Sequence, residues 1–225
     1  MSQTYEVHKL KVKFTFCKNF TYLIVDSKSK EAAIIDPAWE LNPILNKIKK
    51  LNATLKCILL THSHFDHTNL INSLLKHFNP KVFMHKKEIN CYNFRCKNLQ
   101  PIDHLDKIKL GSTHITTLFT PGHTAGSCCF LLEEDLFTGD TLFTEGCGIC
   151  YGKGSSPKAM FQSLQMIKST INHDTHIYPA HSFGKAPGQP FNKLLKENIY
   201  LQFDNEADFV AFRMRENQWG FFNFY

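Results

Sequence analysis

The run Thr61-His62-Ser63-His64-Phe65-Asp66-His67-Thr68 follows directly on the apolar stretch Cys57-Ile58-Leu59-Leu60, and it limits what this chain can become more than any other segment. A short apolar run of this kind reads as a buried strand. Imidazoles and a carboxylate crowded at its end are the donors that bind zinc and similar ions, and strand ends are where an α/β protein opens side chains to a cleft. In extended chain His62, His64 and Asp66 share one face while Phe65 takes the other, until a helix begins near His67. One short loop thus feeds two adjacent ions.

The pattern of strand followed by donor recurs. Residues 9–16 set Lys9, Lys11 and Lys13 against Leu10, Val12 and Phe14, a half-solvated strand, whereas Phe20 to Val25 is apolar nearly throughout and belongs nearer the middle of a sheet. A strand at 32–35 ends in Asp36. The stripe Leu41, Ile44, Leu45, Ile48, Leu51 is helical, and with the strand at 54–60 it completes a βαβ unit. Beyond the histidine-rich run, Leu70, Ile71, Leu74, Leu75 and Phe78 mark another helix and residues 81–84 another strand. Strands at 112–119, 135–138 and 175–178 each end in a donor: His123 in Thr120-Pro121-Gly122-His123-Thr124, Asp140 in Thr138-Gly139-Asp140-Thr141, and His181 in Pro179-Ala180-His181. A further strand covers 127–133, and Ser155-Ser156-Pro157 opens a helix with Met160, Leu164, Ile167 and Ile171 inward. Together these donors make two complete sets with one carboxylate left to bridge them.

Other features exclude other classes. The beginning, Met1 to Glu6, has no signal-peptide pattern, and no apolar run approaches the roughly 20 residues that span a bilayer, so a cytoplasmic protein without a membrane partner is expected. The 8 cysteines are then reduced thiols, and Cys147-Gly-Ile-Cys150 is a lone CxxC in a glycine-rich loop with no second pair to make a zinc ribbon. Cys128 and Cys129, being adjacent, face opposite sides of a strand. His85 and His104 read as surface residues. A formal charge of +6 is mild, and the short intervals between motifs leave little room for a nucleic-acid-binding arm, so no nucleic acid is expected. Residues 1–225 read as one domain, with 190–225 a C-terminal extension that is helical around 191–200 and 206–216 and ends in Trp219, Phe221, Phe222, Phe224 and Tyr225.

Taken in order, Asp36-Pro37, the run 61–67, Pro121-Gly122-His123-Thr124, Thr138 to Phe143, Gly146-Cys147-Gly148 and Pro179-Ala180-His181 resemble the metallo-β-lactamase-fold hydrolases, in particular the glyoxalase II-like group. The resemblance implies an α/β protein, an αββα sandwich with the site at one edge. It implies two zinc ions, one held by His62, His64 and His123, the other by Asp66, His67 and His181, with Asp140 bridging. Asp66 and Asp140 are then catalytic as well as ligands, and Asp36 supports the metal loop from behind. The implied reaction is hydrolysis by metal-activated water. No proton donor is evident for an amine, whereas a thiol of pKa about 8.5 leaves readily, which favours a thioester or ester over a lactam.

In that group a lysine and a tyrosine follow Gly-Cys-Gly and a further tyrosine follows the last histidine. Here the matching substrate positions are Ile149, Tyr151 and Phe183, so only one of the three is kept. The stretches Phe94 to Asn98, Lys196 to Tyr200 and Arg213-Met214-Arg215 look more like the zinc-dependent hydrolases of bacterial polyketide-biosynthesis clusters. An acyl thioester is therefore the expected substrate and an acyl carrier protein the expected partner, steered by some of Lys153, Lys185, Arg213 and Arg215. The alternatives are a hydroxyacylglutathione hydrolase, a persulfide dioxygenase with a single iron on His62, His123 and Asp140, and a binding protein on the same fold.

Overall fold

A computed structural model of the protein describes residues 3–216. The aromatic residues expected to end the C-terminal extension, Trp219 to Tyr225, lie outside that range.

The first half of the chain builds one sheet. Strands β1 (Tyr5–Phe14), β2 (Cys17–Asp26), β3 (Glu31–Ile35), β4 (Thr54–Leu60), β5 (Lys81–His85) and β6 (Leu99–Ile102) lie side by side in chain order. The first two pairings are antiparallel and the rest parallel, because helices α1 (Leu41–Lys50), α2 (Phe65–Thr68), α3 (Ile71–His77) and α4 (Lys86–Tyr92) fill the crossovers. The second half builds a sheet in the order β12 (Gln189–Pro190), β11 (His176–Pro179), β10 (Asp135–Gly139), β9 (Cys128–Leu131), β8 (Thr113–Phe119) and β7 (Lys107–Leu110). Only β10 and β11 pair in parallel, joined by α5 (Pro157–Thr170). Helices α6 (Phe191–Glu197) and α7 (Glu206–Arg213) follow.

Alternation along the strands sorts the apolar side chains into three layers of core. Tyr22, Ile24, Ala33, Ile35, Cys57 and Leu59 face the second sheet and meet Ile108, Ile115, Cys128, Phe130 and Phe137. Their neighbours Leu23, Val25, Ala32, Ile34, Ile58 and Leu60 face outward and are covered by Ile44 and Ile48 of α1 and Leu74 of α3. On the other outer face Leu118, Cys129, Leu136 and Ile177 pack under Met160, Leu164 and Ile167 of α5, with Phe191 and Phe209 beyond. The result is the αββα sandwich, and Cys128 and Cys129 do sit on opposite sides of β9.

Several expectations need correcting. His85 is buried, not superficial: its Nδ1 accepts from the Lys87 N–H, its ring stacks on Phe119 at 4.2 Å, and Asp103 lies 3.3 Å from its Nε2. Arg213 is also buried, donating to the Tyr200 hydroxyl at 2.7 Å, so it is no steering charge on the surface. The helix after the histidine-rich run begins at Phe65, two residues early, and the four-residue strand β7 carried no recognisable signal.

Candidate metal centre

Every donor singled out in the sequence lies just beyond the C-terminal end of a strand, and all these ends meet along one edge of the sandwich. β3 delivers Asp36, β4 the run from His62 to His67, β8 leads to His123, β10 to Asp140 and β11 to His181. Gly139, with φ of +50°, lets β10 come up against β4, since a Cβ there would stand 2.3 Å from the Thr61 hydroxyl. Gly148 is equally constrained, for a Cβ on it would stand 2.0 Å from the carbonyl oxygen of Asp140.

Two clusters form. His62 Nε2 lies 2.9 Å and His123 Nε2 3.0 Å from His64 Nδ1. Beside them, Asp66 Oδ2 lies 3.6 Å from His67 Nε2 and 3.4 Å from His181 Nε2. The ligand atoms in each trio are all within 4.8 Å of one another, a spacing that can hold a cation. Asp140 stands between the trios. Its Oδ1 is 3.5 Å from His67 Nε2 and 3.6 Å from His181 Nε2, while its Oδ2 is 3.5 Å from His123 Nε2.

Hydrogen bonds behind the rings decide which nitrogens face inward. The Asp36 carboxylate accepts from the Thr61 N–H at 2.8 Å and hydroxyl at 2.6 Å, and also from His67 Nδ1 at 2.9 Å. His123 Nδ1 donates to the Ile149 carbonyl at 2.7 Å and His181 Nδ1 to the Lys18 carbonyl at 2.9 Å. Carbonyls and carboxylates only accept, so these Nδ1 atoms carry the protons and the Nε2 lone pairs point into the site. His62 follows the same logic through Thr61, whose hydroxyl hydrogen is already given to Asp36, leaving its oxygen to accept from Nδ1 at 3.1 Å. Asp36 also falls within reach of His62 and His67 as a third trio, but its oxygens are engaged by Thr61 and by the back of His67, which makes it a support.

The electrostatics of the trios suit a metal. Among the described residues His67 Nε2 and Asp140 Oδ1 are buried with no hydrogen-bond partner, which a site without a cation has no reason to keep. Burial pulls His67 down, yet Asp66, Asp140 and Asp36 together lift it to about 10, a sign that positive charge is wanted there. Burial and then the neighbouring imidazoles push His62 well below its ordinary value. For Asp66 burial works against ionisation, but His67, His181 and Asn19 hold it well under the usual carboxylate range.

A structural carboxylate escaped the sequence reading. Glu88, fully buried on α4, accepts from the Ser63 N–H at 2.8 Å and hydroxyl at 2.7 Å with one oxygen, and from the Thr124 hydroxyl at 2.8 Å and Gly126 N–H at 2.9 Å with the other. It ties the loop of His62 and His64 to the turn of His123. The one available sign was an acidic residue on a helix face that should have been apolar, four positions after Met84.

Of the expected substrate positions, Ile149 offers its carbonyl to His123, Tyr151 is exposed, and Phe183 rests against Phe143 at 5.3 Å, itself 6.0 Å from His181. Cys147 and Cys150 are buried among Met160 and its neighbours, and burial pushes the Cys150 thiol up to about 12, so the CxxC is core material.

The profile of the Metallo-beta-lactamase superfamily matches residues 14–181. The chain belongs to this superfamily. Among its members, the probable polyketide biosynthesis zinc-dependent hydrolase PksB of Bacillus subtilis is 49% identical over 224 residues, covering 100% of both chains. A hydroxyacylglutathione hydrolase of Buchnera aphidicola is 34% identical over 183 residues, covering 81% of this chain and 70% of its own. The crystal structure of ETHE1 from Myxococcus xanthus superimposes with a TM-score of 0.83 at 25% identity, covering 93% of this chain and 91% of that one. Its superfamily fold thus extends over nearly all of the chain.

Proposed function

We propose that this protein is a two-zinc hydrolase of acyl thioesters that acts in polyketide biosynthesis on acyl groups attached to a pantetheine-type thiol. The observation that carries the reading is the pair of donor trios with one Asp140 oxygen turned to each. His62, His64 and His123 hold one ion and Asp66, His67 and His181 the other. Bound zinc supplies a polarised carbonyl and water acidified to a pKa of about 7. The remaining work falls to the protein: Asp36, Ile149 and Lys18 fix the imidazole tautomers, and Asp140 keeps the two trios in register. A leaving thiolate asks for no proton donor.

Substrate choice rests on Ile149, Tyr151 and Phe183. Glutathione carries two carboxylates, which a cation and a hydroxyl would bind, and Ile149 and Phe183 provide neither. Each missing contact is worth about 1–3 kcal/mol, so the glutathione thioester is expected to be on the order of 100-fold poorer in kcat/KM than an acyl-pantetheine, and no less than about 30-fold. The acyl carrier protein remains the proposed partner, drawn by exposed Lys153 and Arg215, since Arg213 is buried and Lys185 is half-buried and paired with Glu197. Measuring kcat/KM on S-lactoylglutathione, an acyl-pantetheine and an acyl carrier protein tests the reading. S-lactoylglutathione as the best substrate would overturn it in favour of the hydroxyacylglutathione hydrolase activity. Ile149→Lys is expected to shift the ratio toward glutathione by about tenfold.

A further inference from the structure

Three aromatic rings stand in a row on the surface beside the Asp66 side of the site. Phe14, at the tip of the β1–β2 hairpin and 60% exposed, stacks on Trp39 at 5.3 Å between centroids. Trp39 in turn meets Phe65 edge-on at 6.0 Å, and Phe65 is 71% exposed. The three come from separate segments, so their alignment is a product of the fold. Phe65 is flanked in sequence by His64 and Asp66, which puts one end of the row at the donor cluster.

The middle ring is held with unusual care. Trp39 has φ of +62°, a left-handed backbone that a bulky residue rarely adopts. Its N–H donates to Asn69 Oδ1 at 2.8 Å and its indole Nε1–H to Asn19 Oδ1 at 2.7 Å. Asn19 is 2% exposed, and its other end donates to the carbonyl of Asp66 at 2.9 Å and to the carboxylate Oδ2 at 3.1 Å. One buried amide therefore fixes both the indole and a donor of the second trio. Trp39 itself is half-buried between the exposed rings of Phe14 and Phe65, and strained backbone together with contiguous exposed apolar surface is a mark of binding.

We propose that Phe65, Trp39 and Phe14 form the subsite for the acyl chain of the thioester, which lies across the rings with its carbonyl at the donor trios. This rests on the thioesterase reading given above. The row recognises an apolar chain by area and selects it by length. Each methylene laid on the rings is expected to improve binding roughly threefold, until the chain passes Phe14.

The test uses S-alkyl pantetheine thioethers, which cannot be hydrolysed, from propyl to decyl. Their affinity for the zinc-loaded protein is read by calorimetry, and kcat/KM is read on the matching acyl-pantetheines. The expected result is a rise of roughly threefold per methylene in both series. Phe14→Ser, far from the donor run, is expected to end the rise at a shorter chain, and Phe14→Ser with Phe65→Ser to flatten it. A flat series in the unaltered protein, or a rise that survives in the double variant, would overturn the subsite. So would an unchanged rise together with a selective loss on a carrier-bound substrate, which would assign the rings to the carrier protein. A rise in thioether affinity with no thioester turnover would instead leave the apolar subsite standing and remove the thioesterase reading.

Discussion

Asp140 serves two masters: one carboxylate oxygen faces His67 and His181, the other faces His123. Removing it unlinks both trios at once. Asp140→Ala is expected to bring zinc content down from about two ions per chain and to lower thioester hydrolysis by about 1000-fold or more, since nothing else can fill both positions. His104→Ala provides the contrast, because His104 is exposed and its Nδ1 merely accepts from the Phe119 N–H at 3.1 Å. Elemental analysis and initial rates on the two variants check this, and comparable losses in both would refute the bridging role. Glu88 has a one-sided function by comparison. Its two oxygens take four hydrogen bonds around His62, His64 and His123 and none around Asp66. Glu88→Gln leaves one acceptor oxygen and replaces the other by a donor. Zinc affinity measured by chelator competition is expected to fall about 10- to 100-fold for one ion while the other stays bound.

At the level of the element, the strands that feed the site were readable because each is a short apolar run that ends in a donor. The pairing of β3 with β4 follows from the helical stripe between them, and the inward and outward faces of β2, β3 and β4 follow from alternation alone. The failures have two kinds of cause, local ambiguity and partners remote in sequence. The start of α2 was placed late because Phe65 and Asp66 fit an extended segment as well as a first helical turn, and it takes the His67 N–H donating to the His64 carbonyl and the Asn69 N–H donating to the Phe65 carbonyl, both at 3.0 Å, to distinguish the two. β7 is four residues long and alternates Lys107 and Lys109 with Ile108 and Leu110, too brief a pattern to separate from a loop. His85 and Glu88 escaped because their roles are defined by partners distant in sequence: Phe119 and Asp103 for one, Ser63, Thr124 and Gly126 for the other. Asn19 and the Lys18 carbonyl belong to the same class, since a backbone oxygen leaves no mark in a sequence.

For the whole molecule, the seam between the sheets has its own polar fastening opposite in character to the site. Asp26, at the end of β2, accepts from Ser29 in the β2–β3 turn of its own half and from Ser112 in the β7–β8 turn and Thr113 at the start of β8 in the other. Burial disfavours its charge, but these donors hold the carboxyl well below its ordinary range. A depressed folded-state value means a contribution that is complete above the unfolded value of about 3.9 and is lost as pH falls below it. Denaturant midpoints followed from pH 7 down to pH 3 are expected to drop in the last two units, and Asp26→Asn to lower the pH 7 midpoint and flatten that drop. An equally steep acid loss in Asp26→Asn would place the responsible group elsewhere.

The division of the donors between the halves of the chain also has a consequence for biosynthesis. Residues 62–67 belong to the first sheet and residues 123, 140 and 181 to the second, so neither half holds three donors of either trio. On the ribosome the first half emerges as two incomplete chelates, and the second trio closes only after His181 has left the tunnel. Hydrolytic competence is then a late property of the nascent chain, and a product truncated before residue 181 is expected to be inert whatever its zinc supply.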